Sequence, residues 1–303
     1  MKKGISIIIP NYNSGYFLRE VVESIFQQPF RHSFEVIIVD DGSNDQITKL
    51  ILKEVENDFD IQIIKLDYNI GVQCARNIGL KTANFDYILT IDADDQLNTD
   101  TSVLKDETYA DRAIDILSSS PDIAFVHGIW LMFGEYDGFT ISAYPVTESL
   151  ILEKHHVQTS IVYRKQDAFE AGLYDKNIKK WQDWSFAVGI LNTRFLSGKK
   201  NRIAFLDTPY YLYRIHDQTN RISAANISEK EMIKKTILRH PEIFKNYYKG
   251  IPDNEIVATI LLKKPNRLKD LLYVASHDIK RAITIMDQRG FEMKFTSKQS
   301  NIP

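Results

Sequence analysis

An α/β fold with a mostly parallel central sheet, helices on its faces and a helical C-terminal extension is predicted from three observations. Short β-branched runs alternate with amphipathic stretches over the first hundred residues; each run ends in a polar cluster; and no convincing strand follows about Ser223. Ile5–Ile9, Glu35–Val39, Ile61–Leu66 and Tyr87–Ile91 have strand length and strand composition. Between them, Phe17, Leu18, Val21, Val22, Ile25 and Phe26 recur at helical spacing after the cap candidate Ser14. Ile47, Leu50, Ile51, Leu52 and Val55 do so after Ser43 and Asn44, and a third helix starts near Gly71 and carries Cys74, Ile78 and Leu80.

From about Thr101 the pattern mixes. A helix through Ala113–Leu117 ends near Pro121, strand-like runs cover Ile123–Phe133 and Ser160–Tyr163, a helix runs from Gln182 to about Leu196, and a last strand region spans Ile203–Ile215. Beyond it, groups such as Met232, Ile233, Ile237 and Leu238, or Ile256, Val257, Ile260 and Leu261, read as consecutive helices, as do Leu268, Leu271, Leu272, Val274 and Ala275. The 303 residues thus divide at about 220, into residues 1–220 (with halves 1–100 and 101–220) and a helical region 221–303.

With 44% hydrophobic and 26% charged residues, the chain has the composition of a globular protein with a real core, which excludes disordered and fibrous classes. The single cysteine, Cys74, excludes an internal disulfide, a zinc knuckle and a CxxC redox site, and a reducing cytoplasm is the simplest compartment. MKKGISIIIP reads as a first strand rather than a signal peptide, and no window has the apolar length of a membrane-spanning helix. Charge is unevenly distributed. Residues 1–220 carry 22 Lys and Arg against 31 Asp and Glu, a net of −9; residues 221–303 carry 16 against 9, a net of +7. An acidic N-terminal part argues against nucleic acid as a partner.

Loops leaving the carboxyl ends of parallel strands gather along one edge, where open α/β sheets bind ligands. Asn11–Ser14, Asp40–Asp45, Asp67–Gly71 and Asp92–Gln96 all fall at such ends. Asp92, Asp94 and Asp95 set three carboxylates within four positions. That crowding needs solvent, donors or a cation, and hard oxygen ligands suit magnesium or manganese. The bland alternative is a solvated turn capping a helix. Asp40 and Asp41 form a second acidic pair, followed by Gly42, and Arg76 lies on the first turns of the third helix, able to pair with an acid or a phosphate.

Taken in order and spacing, SIIIPNYN at 6–13, VDDGSND at 39–45, NIGVQCARN at 69–77 and LTIDADD at 89–95 resemble the signature of the GT-A glycosyltransferases of family 2, over roughly residues 4–216. The resemblance implies a GT-A fold and an inverting transferase that moves a sugar from a nucleotide diphosphate donor, UDP by default, to a hydroxyl acceptor: a glycan, a lipid-linked glycan or a protein. It implies that Asp41 contacts the base and that Pro10 and Tyr12 lie on the same loop region of the nucleotide-sugar site. Asp92 and Asp94 match the DxD motif, with Asp94 the metal ligand and Asp92 a ribose or water-mediated contact; Asp95 supports either, and Arg76 is a donor-site contact. In Trp181-Gln182-Asp183-Trp184, Asp183 matches the catalytic base, while Gln182 replaces the family's usual first acid. Tyr213-Arg214-Ile215-His216 resembles the YRxH element, so His216 is a metal or diphosphate contact and Arg214 neutralises the leaving group; Thr219 and Ser223 stand where the family has serines.

Three other readings compete. A sugar nucleotidylyltransferase would need a Gly-rich basic loop where Asn11-Tyr12-Asn13-Ser14 stands, and a receiver module would leave the later DADD unexplained. A relative that binds nucleotide sugar without catalysis fits the Gln182 departure. The basic C-terminal helices, with Lys234, Lys235, Arg239, Lys263, Lys264, Arg267 and Lys269, fit a phosphate-bearing acceptor, a peripheral contact with an anionic membrane, or a self-associating cap. His155 and His156 are read as surface or acceptor-rim residues.

Overall fold

All seven residues of strand β1 (Ile5–Asn11) are buried, as expected for a strand covered on both faces in the middle of a sheet. The computed structural model describes residues 2–104, 107–135, 138–139, 145–154, 157–216, 226–262 and 267–288. Outside them fall Thr219, Ser223, His155, His156, Lys263 and Lys264, and within the last helices nothing is described of the Arg267 and Lys269 side chains.

Along the chain, β1 is followed by α1 (Phe17–Phe26), β2 (Phe34–Asp40), α2 (Gln46–Asp58), β3 (Gln62–Lys65), α3 (Val72–Thr82) and β4 (Tyr87–Thr90). Next come β5 (Gln96–Leu97), α4 (Thr101–Leu104), α5 (Tyr109–Ser119), β6 (Ile123–Gly134), β7 (Gly138–Phe139), α6 (Glu148–Glu153), β8 (Val162–Arg164) and α7 (Lys165–Glu170). The chain continues through α8 (Gln182–Leu196) and β9 (Arg202–Ile215) to α9 (Glu229–Arg239), α10 (Pro241–Tyr247), α11 (Asp253–Leu262), α12 (Arg267–His277) and α13 (Ile279–Gln288).

The sheet runs β3-β2-β1-β4-β8-β6-β9-β5, with β7 paired to β6. β3, β2, β1 and β4 are parallel, as the alternating pattern predicts, and β6 is parallel to β9; β8, β5 and β7 pair antiparallel. Register aligns the carboxyl ends, with Asn11 opposite Asp40 and Ile8 opposite Thr90. Pro10 lies two residues beyond Ile8, on the side facing β4 after that pairing has ended, so its missing N–H costs no ladder bond.

The two-residue strand period splits the core into two layers. Ile5, Ile7 and Ile9 pack with α1, α2 and α5, whereas Ile8, Ile37 and Val39 pack on the other face with Ala75, Leu80 and Trp184. Gly79 is what lets α3 lie directly on β1, since a Cβ there would sit 2.4 Å from a methyl of Ile8. Ile233, Ile237, Ile243, Phe244, Ile256, Val257 and Ile260 of α9–α11 belong to the same layer as Trp184.

Two helix starts differ from expectation. α1 is entered through Tyr16 without a side-chain cap, because the Ser14 hydroxyl is bonded to the Asn11 side chain instead. The cap of α2 is Asp45, whose carboxylate accepts the Thr48 N–H at 2.8 Å, one residue later than Ser43 and Asn44. Ile47 and Leu50, expected on the packed face, are 45% and 52% exposed.

Candidate active site

At the tip of β1 and β2, the Asn11 amide donates to Asp40 Oδ1 at 2.6 Å, and the Ser43 hydroxyl donates to the same oxygen at 2.5 Å. Asp40 therefore fastens two strand ends together. Asp41, 2% exposed, turns the other way: its oxygens accept the Ile70 N–H at 2.7 Å and the Gly71 N–H at 2.9 Å, pinning the turn before α3. Burial raises the Asp41 pKa against these two donors. Gly42 makes this approach feasible, with φ of +72° and a Cβ position only 2.5 Å from the Tyr68 carbonyl carbon. Pro10 is buried at the end of β1, and Tyr12, next on the same edge, is 46% exposed.

The centre of the edge is Arg76. It is 2% exposed, yet donates from Nη2 to Asp92 Oδ1 at 2.7 Å and from Nη1 to Asp183 Oδ1 at 3.0 Å, with its guanidinium 5.3 Å from the Tyr174 ring centroid. Burial opposes the charge on Arg76, but the carboxylates of Asp183 and Asp92 outweigh it and push its pKa up. Desolvation raises Asp183 above the usual carboxylate range; Arg76 pulls it down, Asp92 pushes it up, and a hydrogen bond with the Thr159 side chain lowers it.

Asp183 sits in the first turn of α8, entered through Trp181 in a left-handed conformation at φ 58°, which a tryptophan adopts only under constraint. That constraint comes from both sides of the loop before it. From α3, Asn77 exchanges two hydrogen bonds with the Tyr174 backbone and Gln73 donates to the Ile178 carbonyl at 2.7 Å. From α9, Arg239 pairs with Asp175 at 2.8 Å and donates to the Gly172 and Leu173 carbonyls, while Lys235 donates to the Asn177 carbonyl. Gln182 is 8% exposed, and its buried Oε1 has no hydrogen-bond partner among the described residues.

Beyond β4, Asp94 Oδ2 and His216 Nε2 lie 2.9 Å apart, at the end of β9. The buried Nδ1 of His216 has no hydrogen-bond partner among the described residues. Asp95 is 1% exposed and ties β9 to the acidic turn, accepting the Tyr211 hydroxyl at 2.7 Å and the Arg214 N–H at 2.9 Å. Burial, reinforced by Asp94 and Asp92, pushes its pKa well above the carboxylate range despite those donors. Arg214 is held between the rings of Phe17 and Phe133, each 4.4 Å from the guanidinium, and bonds to the Asp94 carbonyl and the Glu20 carboxylate.

Seven of the residues singled out from sequence form two groups along one edge, while Pro10, Tyr12 and Asp41 belong to neither, the Asp41 carboxylate being taken up by the Ile70 and Gly71 N–H groups. Arg76 joins Asp92 to Asp183, and Asp94 meets His216 with Asp95 and Arg214 bracing them. Asp92, expected beside Asp94 on a metal, is turned to Arg76, and among the described residues no group of three or more His, Cys, Asp or Glu is arranged to hold a metal ion. Asp94 and His216 supply one carboxylate and one imidazole, a donor pair that suits a divalent ion completing its shell with diphosphate oxygens and water. Sequence reasoning missed Tyr174, Thr159, Tyr211 and Glu20. The first two lie on connecting segments without periodicity, and Glu20 reads as an ordinary first-turn acid of α1.

A family model, "Glycosyl transferase family 2", matches residues 6–106. The poly(ribitol-phosphate) beta-N-acetylglucosaminyltransferase TarS of Staphylococcus aureus (strain Mu50 / ATCC 700699) is 28% identical over 263 residues, covering 84% of this chain. The chain spans 43% of that relative's length. Among solved structures, S. aureus TarS 1-349 in complex with UDP-GlcNAc superposes with a TM-score of 0.65 at 22% identity, covering 94% of this chain and 90% of the other. The mannosyltransferase PcManGT from Pyrobaculum calidifontis, in complex with GDP-Man and Mn2+, does so with 0.56 at 14% identity, covering 95% and 79%. No described helix is long and apolar enough to cross a membrane. Four ordered motifs, the strand-tip carboxylates they place on one edge, and these matches converge: residues 6–106 match glycosyl transferase family 2, and the chain has the fold of the GT-A glycosyltransferase structures it superposes on.

Proposed function

We propose that this chain is an inverting glycosyltransferase that passes a sugar from a nucleotide diphosphate sugar, UDP-linked, to a hydroxyl group of a cell-surface glycan or glycoconjugate. The observation that carries the reading is Arg76 bridging Asp92 and Asp183, because it brings the DxD motif and the expected base to one buried cation. The TarS complex with UDP-GlcNAc supports the choice of donor.

In this mechanism the base and ribose lie over Pro10, Tyr12 and Asp41, with Asp92 toward the ribose. Asp183 accepts the proton of the acceptor hydroxyl as that oxygen attacks the anomeric carbon from the face opposite the departing diphosphate, and one displacement inverts the centre. Arg76 keeps Asp183 oriented and favours its ionised form. A divalent cation, Mn2+ or Mg2+, would be held by Asp94 and His216, near Asp92, and when bound would neutralise charge on the leaving diphosphate. The PcManGT complex, which contains Mn2+, supports this assignment. Arg214, with Asp95 fixing its backbone, adds positive charge on the same side.

Product formation over UDP-, GDP- and dTDP-sugars with manganese present tests the reading. Turnover with a UDP-sugar, giving an inverted anomer, is expected; binding without turnover across the panel would identify a non-catalytic relative instead. Asp94→Ala should remove the metal-dependent part of UDP binding measured by calorimetry with and without manganese.

A further inference from the structure

The segment delivering Asp183 carries a basic surface that neighbouring acids compensate only in part. Lys176 and Lys179 are exposed on the loop immediately before α8, and Lys230, Lys234 and Lys235 are exposed on α9, which grips that loop. Lys180 pairs with Glu229 at 3.3 Å and Lys234 with Glu231 at 3.3 Å. Lys176, Lys179 and Lys230 have no carboxylate partner among the described residues, and Lys235 gives its ammonium to a neutral carbonyl, that of Asn177.

These charges stand out against residues 1–220, which carry a net of −9. They are also fixed relative to the chemistry. The loop is clamped by Gln73 and Asn77 of the helix that bears Arg76, and by Lys235 and Arg239 of α9. The patch is mainly polar: no large hydrophobic residue is exposed within residues 175–180, and on α9 Leu238 alone, 73% exposed, stands beside Lys234 and Lys235. An interfacial membrane site would pair basic residues with a continuous face of inserted apolar ones, which a single leucine does not supply. A flexible, water-soluble polyanion needs only the charges.

We propose that Lys176, Lys179, Lys230 and Lys235 form the landing surface for an acceptor polymer carrying repeated phosphodiester groups, holding it so that a free hydroxyl reaches Asp183. This deepens the glycosyltransferase reading and rests on it for the role of Asp183. The lysine surface itself is tested by binding alone.

The probe is a purified poly(ribitol phosphate) oligomer, with neutral dextran and phosphatidylglycerol vesicles as comparisons, titrated at low and moderate salt against the full chain. Binding to the phosphate polymer that weakens with salt is expected, falling about tenfold or more in the triple variant Lys176→Glu, Lys179→Glu, Lys230→Glu while UDP affinity is unchanged. A neutral set, the same three lysines changed to Gln, should give an intermediate loss and guards against misfolding of the charge-reversed protein. Equal affinity of wild type and both variants for the polymer overturns the proposal, as does equal binding of dextran, or capture by vesicles without polymer binding. Lysine-dependent polymer binding without sugar transfer would support the surface and reject the catalytic reading.

Discussion

Arg76 and Asp183 lie 107 positions apart in the chain and meet at 3.0 Å, with the same guanidinium reaching Asp92 at 2.7 Å. A buried cation shared between two carboxylates of different elements fixes the position of the proposed base and opposes the rise in its pKa that burial causes.

Asp183→Asn keeps the hydrogen bond to Arg76 available but removes the proton acceptor. Transfer should fall by about 10²- to 10⁴-fold, while calorimetric affinity for the nucleotide diphosphate stays within about twofold. Transfer at the wild-type rate in this variant would take Asp183 out of the role of base.

Removing Arg76 changes the pH profile in a fixed direction. Desolvation holds the Asp183 pKa above its ordinary value, and Arg76 is the main influence pulling it down. In Arg76→Gln the pKa rises further, so the acidic limb of kcat/KM moves to higher pH. The same variant leaves Asp183 and Asp92 without their counter-ion and should lose about 3 kcal/mol of stability in denaturant titration. An unmoved limb would mean that Arg76 acts only on packing.

Tyr211→Phe removes the hydroxyl that donates to the buried Asp95 carboxylate at 2.7 Å. Loss of a hydrogen bond to a group of this kind should cost about 1 to 3 kcal/mol, read as a lowered thermal midpoint.

Gly42→Ala should be more damaging than its size suggests. The backbone is at φ +72° and the added methyl would press on the Tyr68 backbone, so the turn that Asp41 pins must move. A stability loss of about 1 to 3 kcal/mol is expected, with weaker UDP binding measured in the same protein.

Arg239→Ala tests whether the C-terminal region positions the base. Its target is the Asp175 carboxylate and the Gly172 and Leu173 carbonyls, far along the loop from the donor edge. A fall in kcat with the donor KM unchanged is expected, partly restored by Arg239→Lys; equal changes in both parameters would point to general loosening.

The strands, their parallel order and the shared edge were legible because β-branched runs and polar strand ends are written locally, as in Ile5–Asn11 and Phe34–Asp40. Asp92 and Asp94 could be placed at a strand end from local pattern, and Asp183 and His216 were singled out through the family resemblance. The pairings were not legible. That Asp92 turns to Arg76 rather than to Asp94, and that Arg214 is engaged by Glu20, depends on distances between elements that no local pattern encodes. The left-handed Trp181 was equally hidden, because tryptophan carries none of the bias toward positive φ that glycine or asparagine would have announced. The cap of α1 failed for the same reason, since Asn11 claimed the Ser14 hydroxyl.

Trp184, one residue past Asp183, donates its indole N–H to the Ile151 carbonyl and meets the edge of Phe244 with ring centroids 6.4 Å apart. Helix α8 therefore leans on hydrocarbon supplied by α10, and Ile233, Ile237 and Ile260 extend the same seam. Protein shortened to the first 226 residues would present that seam to water and should precipitate or be degraded. The position of Asp183 is thereby coupled to helices more than forty residues further along the chain, which a change in their packing would shift without touching the strand tips.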